Sequence, residues 1–312
     1  MNKIYMSVEK DFHLAPPKLY RTSRKIIEKL NDISDLTLVH PGDYDISSGR
    51  ILAGHKSLGP TKIKQVLGPH VPEGDMFIIY GDETSKNVGL DFARNQYKFL
   101  RNLKQNGNFS AFYNEPETEE RTLKDALVEL SKDDSLCIAK SYFFQNDEQV
   151  NQMLSTYGSV FLKPIFGCRM AGVQKISSLD DLKNLNIPES ELQGNYILQE
   201  PLVDPENTEK RIIILDGNHL VSRTHFDRNK PWETSYNQKT AVYNPTEKEI
   251  EVSKNIASRI GGYLVGVDFI GSKVNEVNGT GTAVKTHLPD ETLLYDKTDE
   301  VVKSILEHTN SN

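Results

Sequence analysis

A chain of 312 residues is long enough for two or three domain-sized units around a real core. With 37% hydrophobic and 26% charged residues it reads as a soluble globular protein, and a net charge of -7 gives no electrostatic case for nucleic acid or an anionic membrane as partner. No apolar run is long enough to span a bilayer, Met1 to Val8 reads as a strand rather than a signal peptide, and the distant cysteines Cys137 and Cys168 fit a reducing cytoplasm.

Residues 3–8 read as the first strand. A helix over about 20–30 puts Ile26, Ile27 and Leu30 on one face, and Leu36 to Val39 is the next strand. His40-Pro-Gly-Asp43 breaks it, and Ser47 to Arg50 is a turn. Met76 to Tyr80 is a continuous apolar strand. A helix over about 88–105 follows it and stops at Asn106-Gly107-Asn108. Strands alternating with helices predict a parallel α/β layer in this first third. Residues 115–132 are charged and predict one helix, entered through Thr118 or Thr122. Lys124 on it has the character of an ordinary surface lysine. Ser135 to Tyr142 reads as a strand, with a short helix near 147–156.

Val160 to Ile176 holds a strand ending near Lys163 and a loop with Gly167 and Gly172. A lysine at a strand end and glycines that bring backbone N–H groups close suit a phosphate, although an ordinary hairpin with an exposed lysine is the alternative. A helix near 178–185 leads to the strand Tyr196 to Val203, interrupted by Pro201. Glu209-Lys-Arg211 opens a strand to Leu215, and Asp216-Gly217 is a hairpin turn. Residues 223–243 form a long polar loop with Arg223, His225, Arg228 and Lys230, of a length that is uncommon unless functional. A helix over about 246–260 ends at Gly261-Gly262, and another spans about 298–308.

Between these two helices lies the hairpin Val265 to Asn278. With residues 271–273 as a three-residue loop, Ile270 opposes Val274, Phe269 opposes Asn275 and Asp268 opposes Glu276. Opposed residues share a sheet face, and the two-residue period adds Asn278 to the two carboxylates. Such a face either is solvated or holds a hard divalent cation on oxygen ligands.

This hairpin resembles the metal-binding hairpin of the ATP-grasp superfamily, above all of prokaryotic-type glutathione synthetases. There an Asp, a Glu and an Asn recur at the spacing of Asp268, Glu276 and Asn278. The resemblance runs almost end to end and is densest over 160–283; Gly42 to Gly49 resembles the domain that precedes the ATP-grasp fold. It implies an α/β (α+β ATP-grasp) protein. Residues 1–112 would form the N-terminal α/β domain, 113–203 the small lid subdomain, and 204–312 the subdomain carrying the metal hairpin.

The resemblance also implies roles. Lys124 and Lys163 would reach ATP phosphates, with the loop containing Gly167 and Gly172. Cys168, Arg169 and Met170 stand there where the family has small residues, and Arg169 would add a cation. The adenine edge would meet the Glu200 carbonyl and the Leu202 N–H, since Pro201 has no N–H. Glu209 would hold the ribose, and Arg211, the catalytic residue, would contact the transferred phosphoryl group. Arg228, Asn237, Thr280 and Thr282 would meet the substrate, with Ser235 standing where the family has an Arg. Asp268, Glu276 and Asn278 would hold Mg²⁺, as two ions, with Mn²⁺ able to substitute.

The implied activity is ATP-dependent joining of a small carboxylate to an amine through an acylphosphate, in the cytoplasm and in a chain whose relatives commonly form homo-oligomers. The alternatives are a dipeptide or peptide-tailoring ligase, and an ATP-binding regulatory protein of the kind synapsins are.

Overall fold

The computed structural model describes residues 2–8, 21–57, 63–80, 90–166, 172–206, 208–225, 240–280, 282–288 and 290–310. Three main sheets follow one another along the chain. The first uses β1 (Lys3–Ser7), β2 (Asp35–Val39), β3 (Gly54–Ser57), β4 (Ile63–Leu67), β5 (Gly74–Ile79) and β6 (Phe109–Tyr113), in the order β4-β3-β2-β1-β5-β6. Its four strands β2, β1, β5 and β6 are parallel, as the alternation with α1 (Arg21–Ile33) and α2 (Leu90–Gln105) predicts. The antiparallel edge strands β3 and β4 carry few apolar residues and were not expected from the sequence.

Residues 115–132 form two short helices instead of one. They are α3 (Pro116–Glu120) and α4 (Lys124–Leu130). The chain breaks at Leu123, extended at φ -66 and ψ 153, while the Thr122 hydroxyl donates to the Glu119 carbonyl. The break lets Leu123 enter the apolar layer under the first sheet. Neither Thr118 nor Thr122 caps a helix: Thr118 lies inside α3, and its hydroxyl reaches the Gly261 carbonyl. Of the expected strand 135–142 only Ser141 and Tyr142 fall in a strand, which runs on to Phe143, because Cys137 takes a left-handed turn at φ +51.

The second sheet, in the order β9-β8-β10-β7, is antiparallel. It contains β7 (Ser141–Phe143), β8 (Val160–Pro164), β9 (Gln174–Ile176) and β10 (Tyr196–Gln199). α5 (Asp147–Tyr157), α6 (Leu179–Asn184) and α7 (Glu189–Asn195) accompany it over a core of its own. Ser178 and Asp181 close a reciprocal capping box at the start of α6.

The third sheet is antiparallel, in the order β13-β12-β11-β14-β15. Its strands are β11 (Glu209–Leu215), β12 (Asn218–His225), β13 (Thr240–Val242), β14 (Leu264–Ile270) and β15 (Lys273–Asn278). Asp216 and Gly217, both at positive φ, make the tight turn between β11 and β12 that Asp-Gly predicts. α8 (Glu247–Ile260), with a Thr246–Glu249 capping box, covers one face. β16 (Lys285–His287) pairs with β17 (Leu293–Asp296), and α9 (Thr298–Asn310) closes the chain. α9 packs back on α1, so that Val301 and Ile305 share a core with Ile4 and Met6. Among the described residues, no helix is long and apolar enough to cross a membrane.

Candidate functional site

The third sheet presents charges in a row. Arg211 on β11 opposes Arg223 on β12 and Asp268 on β14, and Asp268 opposes Glu276 on β15. Directly paired residues share a face, so two guanidiniums and two carboxylates point the same way. Arg211 grips Asp268 with both arms of its fork, Nε to Oδ1 and Nη2 to Oδ2, each at 2.5 Å. Asp268 is fully buried and also accepts from Asn278 Nδ2 at 3.1 Å. Burial alone would lower the pKa of Arg211, but the Asp268 carboxylate outweighs it and holds that pKa above the ordinary value.

Burial and the neighbouring Arg211 lower the pKa of Arg223. Its Nη1 donates to Thr286 Oγ1 at 2.8 Å, while its Nε has no partner among the described residues. Sequence reasoning left Arg223 as one member of a polar loop. A two-residue turn with regular pairing would set Ser222 opposite Arg211, and a bulge at Ile213/Ile214 shifts the partner to Arg223.

The hairpin itself differs in register from the expectation. Its turn is Gly271-Ser272, Ile270 pairs with Lys273, and Phe269 pairs with Val274. A bulge between Asp268 and Phe269 then restores the expected Asp268–Glu276 pair and leaves Asn275 as the extra residue.

Two lysines close on this row. Lys124, the first residue of α4, is buried and sets its Nζ 3.3 Å from Glu276 Oε1. Lys163 on β8 is buried as well; its Nζ donates to Gln199 Oε1 and, at 2.8 Å, to Asn275 Oδ1. Glu209 stands at the start of β11, opposite His225 and two residues before Arg211, hence on the same face. Gly172 closes the loop after Lys163 at φ +76, and a Cβ there would press on Pro164 at 3.3 Å.

At the end of β10 the Glu200 side chain takes the Lys140 N–H at 2.8 Å and pairs with Lys273 on β15. The Glu200 carbonyl and the Leu202 N–H carry no backbone bond among the described residues. Thr280 is buried, its hydroxyl bonded to the Ile79 carbonyl and Glu119, and Thr282 is buried with no partner for its hydroxyl among the described residues. Glu119 was not foreseen. It also accepts from Asn114 at 2.6 Å and from the Thr280 N–H at 3.0 Å, and so ties α3 to the segment after Asn278. Gly167, Arg169, Arg228 and Asn237 lie outside the described residues.

The donor set suits a hard divalent cation. Asp268, Glu276 and Asn278 offer only oxygen, and among the described residues no third carboxylate, His or Cys joins the two acids. A Mg²⁺ ion on so few protein ligands would keep positions for phosphate oxygens and water.

The family profile of the prokaryotic glutathione synthetase ATP-grasp domain matches residues 130–288. The chain belongs to this family. The ATP-grasp match contains Lys163, Arg211 and the Asp268–Asn278 hairpin, and Lys124 lies six residues ahead of it. A glutathione synthetase of Mesorhizobium japonicum is 31% identical over 134 residues, 40% of this chain and 42% of that protein. One of Thermosynechococcus vestitus is 27% identical over 150 residues, 46% and 47% of the two chains. The chain thus spans somewhat under half the length of the curated relatives it matches.

Likeness of fold extends much further along the chain. The ATP-grasp ligase PsnB, solved with a variant of its minimal precursor, Mg and ADP, superposes with a TM-score of 0.65 over 98% of both chains at 13% identity. The D-alanine–D-alanine ligase of Bacillus anthracis gives 0.62 over 99% of this chain and 97% of that one, also at 13% identity. The ATP-grasp fold therefore extends beyond the segment matched in sequence.

Proposed function

We propose that the chain is an ATP-dependent ligase that joins a carboxylate to an amine through an acylphosphate. One observation carries this reading: the row Arg223, Arg211, Asp268 and Glu276 on a single sheet face, with Lys124 on Glu276 and Lys163 on the next residue, Asn275. Cations to hold phosphate and carboxylates to hold a metal meet there at one place.

In this reading Lys124 and Lys163, with Gly167, Arg169 and Gly172, hold the triphosphate. The Glu200 carbonyl and Leu202 N–H read adenine, and Glu209 takes the ribose. Asp268, Glu276 and Asn278 would hold Mg²⁺, as two ions or with Mn²⁺ in its place, which would supply charge neutralisation for the phosphates when bound. A carboxylate oxygen of the substrate attacks the γ-phosphorus, and ADP leaves. Arg211, kept charged by Asp268, stabilises the charge that develops on the transferred group, and Arg223 beside it, whose Nε has no partner among the described residues, adds a second guanidinium for the same anion. The amine then attacks the acyl carbon, phosphate departs, and an amide remains. No side-chain nucleophile is needed. Arg228, Asn237, Thr280 and Thr282 shape the substrate end, Thr280 through the Glu119 network. Residues 1–112, 113–203 and 204–312 serve as the three working units, in a cytoplasmic enzyme that acts alone or as a homo-oligomer.

Two departures favour a dipeptide or peptide-tailoring ligase over glutathione synthesis. Ser235 stands where the family has an Arg, and Gly279-Thr-Gly-Thr-Ala283 replaces its substrate segment. Phosphate release from Mg-ATP, screened with γ-glutamylcysteine plus glycine and with mixed amino acids and dipeptides, tests the proposal by product mass. Release with a new amide mass supports a ligase, and the mass names the pair. Tight ATP binding without release under any pair would favour an ATP-binding regulatory protein.

A further inference from the structure

Resting on the reading that Lys163 meets nucleotide phosphate, we infer that Asn275 is a positioning residue that holds this lysine one step from the metal ligand Glu276. The β15 bulge makes this possible. An inserted residue leaves the ladder locally unpaired and re-aims the side chains around it. Val274 and Val277, three apart, both enter the core under α8, and Asn275 between them turns to the second sheet and is 7% exposed. There its Oδ1 accepts from Lys163 Nζ at 2.8 Å. Gln199 on β10 closes the triangle: its Oε1 accepts from the same ammonium, and its Nε2 donates to the Asn275 carbonyl at 3.4 Å and to Ser141 Oγ at 3.1 Å.

Two residues, one from each of two sheets, thus accept from one ammonium. Both of these acceptors are amide oxygens. An amide orients an ammonium without cancelling its charge, whereas a carboxylate does both. The partner of Lys124 shows the contrast, since it is the carboxylate of Glu276. The bonds to Gln199 and Asn275 thus orient the Lys163 ammonium. Because Asn275 precedes Glu276 in the same strand, the bond to Asn275 sets the lysine beside the metal ligand.

A change of charge at Asn275 separates this role from simple packing. Asn275→Asp keeps the shape and supplies an ion pair to Lys163, and Asn275→Ala removes the tether. On the full chain, calorimetry with Mg-AMPPNP and competition binding of adenosine, which has no phosphate, measure both ends of the ligand. The expected result is a loss of about tenfold or more in Mg-AMPPNP affinity for Asn275→Asp and a smaller loss for Asn275→Ala. Adenosine affinity stays within about twofold, and the Asn275→Asp protein melts no lower than the unaltered chain. Unchanged Mg-AMPPNP affinity in both variants overturns the inference, and so does a parallel loss of adenosine affinity, which marks a packing role. If the unaltered chain binds adenosine but gains nothing from the phosphates, the assignment of Lys163 to phosphate falls, and this inference with it.

Discussion

Asp268 and Glu276 oppose each other on one sheet face, yet they respond differently to substitution. Asp268 is fully buried in the grip of Arg211, and breaking a buried pair by removing one partner costs about 3–5 kcal/mol. Loss of activity in Asp268→Ala would therefore mix lost metal with lost fold. Glu276 has a side chain 31% exposed, so Glu276→Gln isolates the ligand. We expect its ATP turnover to fall by roughly 100-fold with an unchanged melting temperature. Lys124→Met separates charge from fold in another way. It frees Glu276, so Mn²⁺ binding without nucleotide, followed by electron spin resonance, should tighten while nucleotide affinity weakens about tenfold. Weakening of both, or of neither, would contradict the exchange of Lys124 between Glu276 and phosphate. The opposition of Asp268 and Glu276 was legible because strand periodicity is local. Arg223 and Asn275 were not legible, since each owes its place to a bulge that tertiary packing selects.

At the scale of elements, what could be read from the chain was what is encoded within a few residues. Thr246 with Glu249 starts α8 and Gly261 ends it, while Asp216-Gly217 turns β11 into β12, all as the local chemistry demands. The single helix over 115–132 failed because its break serves distant partners: Thr118 meets Gly261, and Glu119 meets Thr280. Asp296 gives an element-scale prediction. Its Oδ1 accepts from the Thr298 N–H at 3.0 Å at the start of α9, and its other oxygen pairs with Lys285 at 2.8 Å. Burial pushes its pKa up, but Lys285 and the Thr298 donors outweigh this and bring it from 3.8 to about 2. A carboxyl lowered on folding stabilises above its unfolded pKa, and that stability is lost as pH falls through the folded value. Asp296→Ala should cost about 1 kcal/mol at pH 7, and the difference should close between pH 4 and pH 2. A gap in melting temperature that stays constant across that range would remove the cap and ion pair as its source.

For the whole molecule, the alternation of strands and helices gave the parallel layer, and the order of motifs gave the ATP-grasp family. The edge strands β3 and β4 stayed hidden, because Gly54 to Leu67 lacks a continuous apolar run. The packing of α9 against α1, which merges the first and last thirds into one core, also has no local signature. That shared core fixes the third sheet beside the first, and the bonds of β15 to Lys163, Gln199 and Glu200 carry the second sheet onto the same row of charges. We propose above all that this row transfers phosphate to a carboxylate. The direct measurement labels the carboxylates of the accepted substrate with ¹⁸O and weighs the phosphate released from Mg-ATP during amide formation. We expect one ¹⁸O in each phosphate and an amide product that has lost one. Unlabelled phosphate, or labelled AMP in place of labelled phosphate, would contradict it.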